Sequence, residues 1–198
     1  MRRVIFSLLL LVTFIVAQAQ ISAPASTEKP DTDPKYLAGA VIDDNGEAIL
    51  RRTVALAPGR SQSEVMNMLD GWLTRCMNDQ RVHHSVRLEQ PAANELQQHC
   101  VMELTFSQAL LAHDFADLSY VLVLKAESNQ VVMEMHKISY KYRGGDKVQK
   151  YAAEDMITDK VALNKHQDKM VLGYKKFRMK TIDFMDELQV SLAAELSK

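Results

Sequence analysis

The sequence predicts an α+β domain of two layers, an antiparallel sheet of about five strands with helices on one face. Three observations carry this. Leu118–Tyr142 reads as a long β-hairpin whose two arms are rich in β-branched, aromatic and other apolar side chains. Two segments, from Ser61 to Met77 and from Thr181 to Leu196, repeat apolar residues at three- and four-residue spacing. The element order is strand, helix, four strands, a short helical region and a long helix, from which two-layer packing follows.

The chain opens with the pattern of a secretory signal over residues 1–19. Arg2 and Arg3 precede the apolar run Val4–Val16, and Ala17-Gln18-Ala19 supplies an A-x-A cleavage site. That run is short of the ~20 residues a membrane span needs. Cleavage after Ala19 would leave an exported protein, periplasmic or secreted, beginning at Gln20. No Cys ends the apolar run, so no lipid anchor is indicated. Residues 20–36, rich in Ser, Thr, Pro and Asp without apolar period, predict a disordered leader. Residues 37–198 are long enough to bury the core of a single domain.

Within that domain Asp43-Asp44-Asn45-Gly46 is a turn signal, and Ala48–Leu56 alternates as a strand ending at Pro58-Gly59. Ser61 and Glu64 form a capping box, followed by Val65, Leu69, Trp72, Leu73 and Cys76 on one helical face, with Met66, Met68 and Met77 beside them. Val82–Leu88 alternates as a strand. After a turn at 90–94, His99–Phe106 is another, while Ala109–Leu111 could extend it and His113-Asp114 reads as a loop. In the hairpin a two-residue turn at Ser128-Asn129 sets Leu124 opposite Met133 and Leu122 opposite Met135, with Val123 opposite Glu134 and Val121 opposite His136 on the other face. Beyond Met135 the apolar phase slips by one, because Ile138, Tyr140 and Tyr142 follow. Such a slip predicts a β-bulge at His136-Lys137. Arg143–Asp146 breaks the pattern, and Tyr151–Asn164 has helical character with Ala153, Met156, Ile157 and Val161 on one side. A final helix is expected from an N-cap at Thr181, with Asp183 and Asp186 complementing its dipole. Burying its stripe of Met185, Leu188, Leu192 and Leu196 on the sheet is worth about 6–12 kcal/mol as an upper bound.

Charge is uneven. Export removes Arg2 and Arg3 and leaves the chain net acidic. Residues 20–139 hold 10 basic and 16 acidic side chains, and 140–180 hold 11 and 5. A basic segment could meet an anionic partner or complement the acidic half. Nucleic acid is not an expected partner, since the exported chain as a whole is acidic. Cys76 and Cys100 could form a disulfide in an exported protein. Cys76 also continues an apolar helix face, where a free thiol packs as a small hydrophobe.

The stretches Tyr151-Ala-Ala-Glu-Asp-Met-Ile-Thr-Asp159, Ala162-Leu-Asn-Lys165 and Gly173-Tyr-Lys-Lys-Phe-Arg-Met-Lys-Thr-Ile-Asp183 resemble an uncharacterised family of secreted Bacteroides-type proteins. That family is a domain of unknown function with a TATA-binding-protein-like (TBP-like) fold. Ile138-Ser-Tyr-Lys-Tyr142 and Pro34-Lys-Tyr-Leu-Ala-Gly39 are similar to it as well, and Met156 departs from it where Trp is expected. The resemblance implies a β-α-β4-α chain order with a curved sheet. It implies no catalytic residues.

Chemistry is sparse. His83 and His84 are adjacent and point to opposite faces of a strand. His84 could meet His99 or His136 across strands, joined by Glu134, yet no metal-ligand spacing is present. His113-Asp114 as an acid–base pair, Cys76 as a nucleophile and Glu154, Asp155 and Asp159 as paired carboxylates each lack a supporting motif. There is no P-loop, G-x-G-x-x-G or zincin sequence, and no cofactor is indicated. The reading favoured is an exported binding or interaction module for a protein or small-molecule ligand. It would use the helix-free sheet face, with Tyr140, Tyr142, Lys175, Lys176 and Arg178 as contacts. The competing reading is a hydrolase-like site assembled from scattered His and acidic residues.

Overall fold

The computed structural model describes residues 32–89, 92–109, 112–144 and 147–198. The expected signal segment and most of the expected leader lie outside them. In chain order the elements are β1 (Ile42–Asp44), β2 (Glu47–Ala55), α1 (Gln62–Met77), β3 (Val82–Arg87), β4 (Glu95–Ala109), β5 (Ala112–Ala126), β6 (Gln130–Gly144), β7 (Lys147–Ala152), α2 (Asp159–Ala162) and α3 (Leu172–Leu196). The fold class is as expected, but the antiparallel sheet has seven strands rather than five. Its order is β1-β2-β6-β5-β4-β3, with β7 also on β6. β6 is long enough to take β2 along its first half and β7 along its second.

The two added strands have plain causes. β1 is three residues long and pairs through the Asn45-Gly46 turn, whose φ angles of 54° and 89° are the left-handed pair a tight hairpin needs. β7 is almost wholly exposed, so it carries no apolar period to read. The helical region expected at 151–164 shrinks to a 3-10 turn at Ala153–Asp155 and the single turn of α2. His113 and Asp114, expected in a loop, lie inside β5.

The central hairpin has the register read from the sequence. Leu124 faces Met133, Leu122 faces Met135, Val123 faces Glu134 and Val121 faces His136. Pairing then jumps to Ser119 against Ser139, so Lys137 and Ile138 share the place opposite Tyr120. Lys137 takes a left-handed φ of 50°, and this is the bulge. It returns Ile138 and Tyr140 to the face of Met133 and Met135, with 2% and 1% of their surface exposed.

Both long helices pack on that face. Ser61 caps α1 as expected, its Oγ accepting from the Glu64 N–H while Glu64 Oε2 accepts from the Ser61 N–H at 2.7 Å. The buried stripe Val65, Leu69, Trp72 and Leu73 meets the sheet, and Trp72 Nε1 donates to Ser191 Oγ of α3 at 3.0 Å. α3 begins nine residues before the expected N-cap. Thr181 is interior and buried, its hydroxyl donating to the Phe177 carbonyl at 2.7 Å. Gly173 and the surrounding lysines hide the first turns, yet Phe177, Thr181 and Phe184 extend the buried stripe upstream of Met185, Leu188, Leu192 and Leu196.

Asp183 and Asp186 consequently serve in ion pairs. Lys35 Nζ lies 2.7 Å from Asp183 and 2.6 Å from Asp186, Arg52 Nε lies 2.8 Å from Asp186, and the Tyr36 hydroxyl donates to Asp183 at 2.6 Å. They hold a 3-10 turn, Pro34–Tyr36, whose Tyr36 is buried. Residues 33–36, the last of the expected leader, are thus tied to the domain, because Tyr36 has a core position to fill.

Candidate functional site

Strand alternation gives the sheet one face under the helices and one without them, and the five expected contact residues belong with the helices. Tyr140 is buried, its ring edge-on to Phe177 at 5.1 Å and its hydroxyl 2.7 Å from Thr181 Oγ. Because Thr181 gives its own hydrogen to Phe177, Tyr140 is the donor in that pair. Burial pushes the Tyr140 phenol up, against the opposing bond to Thr181. Arg178 has no exposed surface. Its guanidinium donates to the carbonyls of Tyr36 (2.6 Å), Leu37 (2.7 Å) and Ile157, and to Asp159 Oδ1 (2.6 Å). It fastens the N-terminal turn and the α2 region to α3. Burial lowers its pKa, and Asp159 partly restores it.

Tyr142 and Lys176 do meet, but they are occupied with each other. Lys176 Nζ donates to the Tyr142 hydroxyl at 2.8 Å and to Asp114 at 2.9 Å, and sits 4.7 Å from the Phe106 ring centroid. Burial would lower this ammonium's pKa, yet the bonds to Tyr142 and Asp114 outweigh it and raise it. Lys175 is half-buried in the first turn of α3. The assignment of these five residues to the helix-free face is thus corrected, and its cause is the bulge, which carries Tyr140 and Tyr142 to the helix side.

The helix-free face itself holds a groove of about 780 Å³ across β2, β6, β5 and β4. Val121, Val123 and Val132 form its bed, with Leu88, Gln97, Thr53 and Lys125 among its walls. At one end Arg51 pairs with Glu134, His136 Nε2 lies 3.0 Å from Glu134, and His136 Nδ1 lies 3.6 Å from Glu47. Glu47 also accepts the N–H of Lys137 at 3.0 Å, so this cluster braces the bulge. Burial would raise the Glu134 pKa, but bonds from His136 and Arg51 hold it below the usual range. Farther along the same face, Lys141 stands opposite Lys150.

The other candidates separate. His84 and His99 approach, ring centroids 6.3 Å apart, but His99 bonds to Ser119 and His136 belongs to the groove cluster. Among the described residues no three His, Cys, Asp or Glu side chains gather as metal ligands. His113 pairs with Glu103 at 3.1 Å, whereas Asp114 points the other way to Lys176. Glu154 accepts the Ala48 N–H at 2.9 Å and Asp159 accepts the Gly39 N–H at 2.7 Å, so these carboxylates are structural and do not pair. Both cysteines are free, and burial raises Cys76 to about 11, which removes it as a nucleophile at neutral pH. Sequence reading had Glu134 beside a histidine but missed Glu47 and Arg51. The i, i+2 spacing of Glu134 and His136 is a local signal for one face, whereas Glu47 arrives from another strand.

Residues 52–141 match the family model of DUF4468, a domain of unknown function with TBP-like fold. That segment is similar to the DUF4468 family. The match runs from β2 into β6 and so contains most of the groove, while the C-terminal stretches that carried the resemblance lie beyond it. A DUF4468 family protein from Bacteroides ovatus is similar over 86% of this chain and 97% of its own, at 28% identity and a TM-score of 0.77. A TBP-like protein from Parabacteroides distasonis shares the fold, at 18% identity and a TM-score of 0.60 over 78% of this chain and 96% of its own. Among curated proteins none matches the chain. Among the described residues no helix is long and apolar enough to cross a membrane.

Proposed function

We propose that this domain is an exported binding module that receives a segment of a partner protein in the groove of its helix-free face. The observation that carries the reading is the groove's composition: a valine bed rimmed by opposite charges that largely compensate each other. That mixture of moderate apolar area and polar rim is typical of non-obligate protein interfaces. No Phe, Tyr or Trp lies among its described lining residues to stack on a sugar or a base, and no excess of positive charge favours a nucleic acid. Export rests on the signal pattern at residues 1–19.

The test compares three forms of the chain as bait against extract of its own exported fraction. The native chain and Leu172→Glu, altered at an 85% exposed helix position, should retain the same partner, and Val123→Arg should lose it. Equal capture by all three forms would remove the groove from the reading. N-terminal sequencing of the exported chain should begin at Gln20.

The groove does join a histidine to carboxylates, which the hydrolase reading required. Both nitrogens of His136 nevertheless face carboxylates already, and no Ser or Cys is among the described lining residues. A hydrolytic site would need a free ring nitrogen and a nucleophile or metal beside it. Binding is the better supported reading.

A further inference from the structure

On the other side of the sheet, the last turn of α1 and the middles of β4 and β5 bring four sulfur atoms together beneath α3. Cys100 Sγ lies 3.1 Å from Met77 Sδ. Tyr120, the direct cross-strand neighbour of Cys100, hydrogen-bonds its thiol and holds its hydroxyl 3.8 Å from Met102 Sδ. Cys76, adjacent to Met77, is near enough to interact electrostatically with both Cys100 and Tyr120. Cys76, Met77, Met102 and Tyr120 line one cavity of about 230 Å³. Met102 is a buried part of that lining and Cys100 is buried behind it against Met77, whereas Cys76 and Met77 are half-buried. Packing alone asks for apolar volume, which Leu or Val would supply. It does not ask for a thiol and two thioethers lining one cavity with a second thiol against one of them.

We propose that this cavity is a binding site for a soft monovalent metal ion of the copper(I) class, held by Cys76 and Cys100 with Met77 and Met102. Thiolate and thioether sulfur prefer such ions over hard cations. Each thiol gives its proton to water as its sulfur–metal bond forms, and the copper stays in the monovalent state. Tyr120 positions the Cys100 sulfur without being a ligand.

The test is a competition for copper(I) between the purified, reduced chain under anaerobic conditions and bathocuproine disulfonate, read from the absorbance of the probe complex. One equivalent of copper should leave the probe. Cys76→Ser and Cys100→Ser should each weaken binding at least ~100-fold, beyond the outer-shell range, and Met77→Leu roughly tenfold. X-ray absorption should find sulfur neighbours around the copper. Trp72 fluorescence checks that the variants fold. Should Cys100→Ser unfold, Cys76→Ser and Met77→Leu, at half-buried positions, carry the test. Copper remaining on the probe, undiminished binding in the folded variants, or a nitrogen and oxygen shell would each overturn the site.

Discussion

Along β5, Leu118, Tyr120, Leu122 and Leu124 are buried beneath the helices, whereas Ser119, Val121, Val123 and Lys125 alternate with them on the helix-free face. The two faces use polar groups in opposite ways. On the helix side a charge survives only by being fully consumed, as Arg178 is by three carbonyls and Asp159, or Lys176 by Tyr142, Asp114 and aromatic rings. On the open side Arg51, Glu134, His136 and Glu47 satisfy one another at the surface and leave a groove between them and the valines. A cationic or aromatic residue is therefore a candidate for recognition only once its face is known. One bulged residue decides that face for the second half of β6.

The comparison breaks most sharply at Arg178. Its replacement by Met keeps much of the volume but orphans Asp159 and three carbonyls, and should cost about 3–5 kcal/mol in urea unfolding. A loss near zero would mean that the N-terminal turn is not fastened through this side chain. Next come two neighbours on one strand. Leu122→Ala beneath the helices should cost about 2–5 kcal/mol, and Val123→Ala in the groove about 0.5 kcal/mol. Similar losses at both positions would mean that the open face is as load-sharing as the core.

Much of the fold was legible because its signals are local. The capping box fixed the start of α1, and a two-residue turn set the hairpin register through four cross-strand pairs. Even the bulge could be read, since a strand cannot change apolar phase without one. What escaped reading depends on contacts distant in sequence. Arg178 looks like surface charge beside Lys175 and Lys176, although its place four residues before Ile182 and seven before Met185 puts it on the buried stripe. Thr181 resembles an N-cap because Thr commonly is one, and only the packing of Phe177 upstream makes it interior. The groove needed Glu47 and Glu134 to meet from strands joined across a long connection, which no spacing reports.

The bulge can be tested by backbone chemistry alone. Lys137 holds a left-handed φ that glycine adopts freely and a β-branched residue resists. Lys137→Gly should be neutral or stabilise by up to about 1 kcal/mol, and Lys137→Val should destabilise by about 1–2 kcal/mol. Amide exchange should place the change at residues 136–139. If valine is tolerated as well as glycine, the strand can realign without the bulge, and the division of Tyr140 from the open face is not fixed by this residue.

The smallest effect concerns the cluster that braces the groove. Bonds from His136 and Arg51 outweigh burial and keep the Glu134 pKa below its usual 4.5 in the folded chain. A carboxylate with a depressed folded pKa contributes stability that is present above the unfolded value and is lost as pH falls through the folded one. Urea midpoints of the native chain should therefore drop more steeply below pH 4.5 than those of Glu134→Gln, in which that position carries no titrating group. The gap between the two should narrow on acidification through the folded pKa of Glu134. Because Arg51 is half-exposed, the gap should stay below about 1 kcal/mol. Parallel acid limbs would show that Glu134 gains nothing from its partners in the folded state, and the groove's charged end would then be a set of side chains merely near one another.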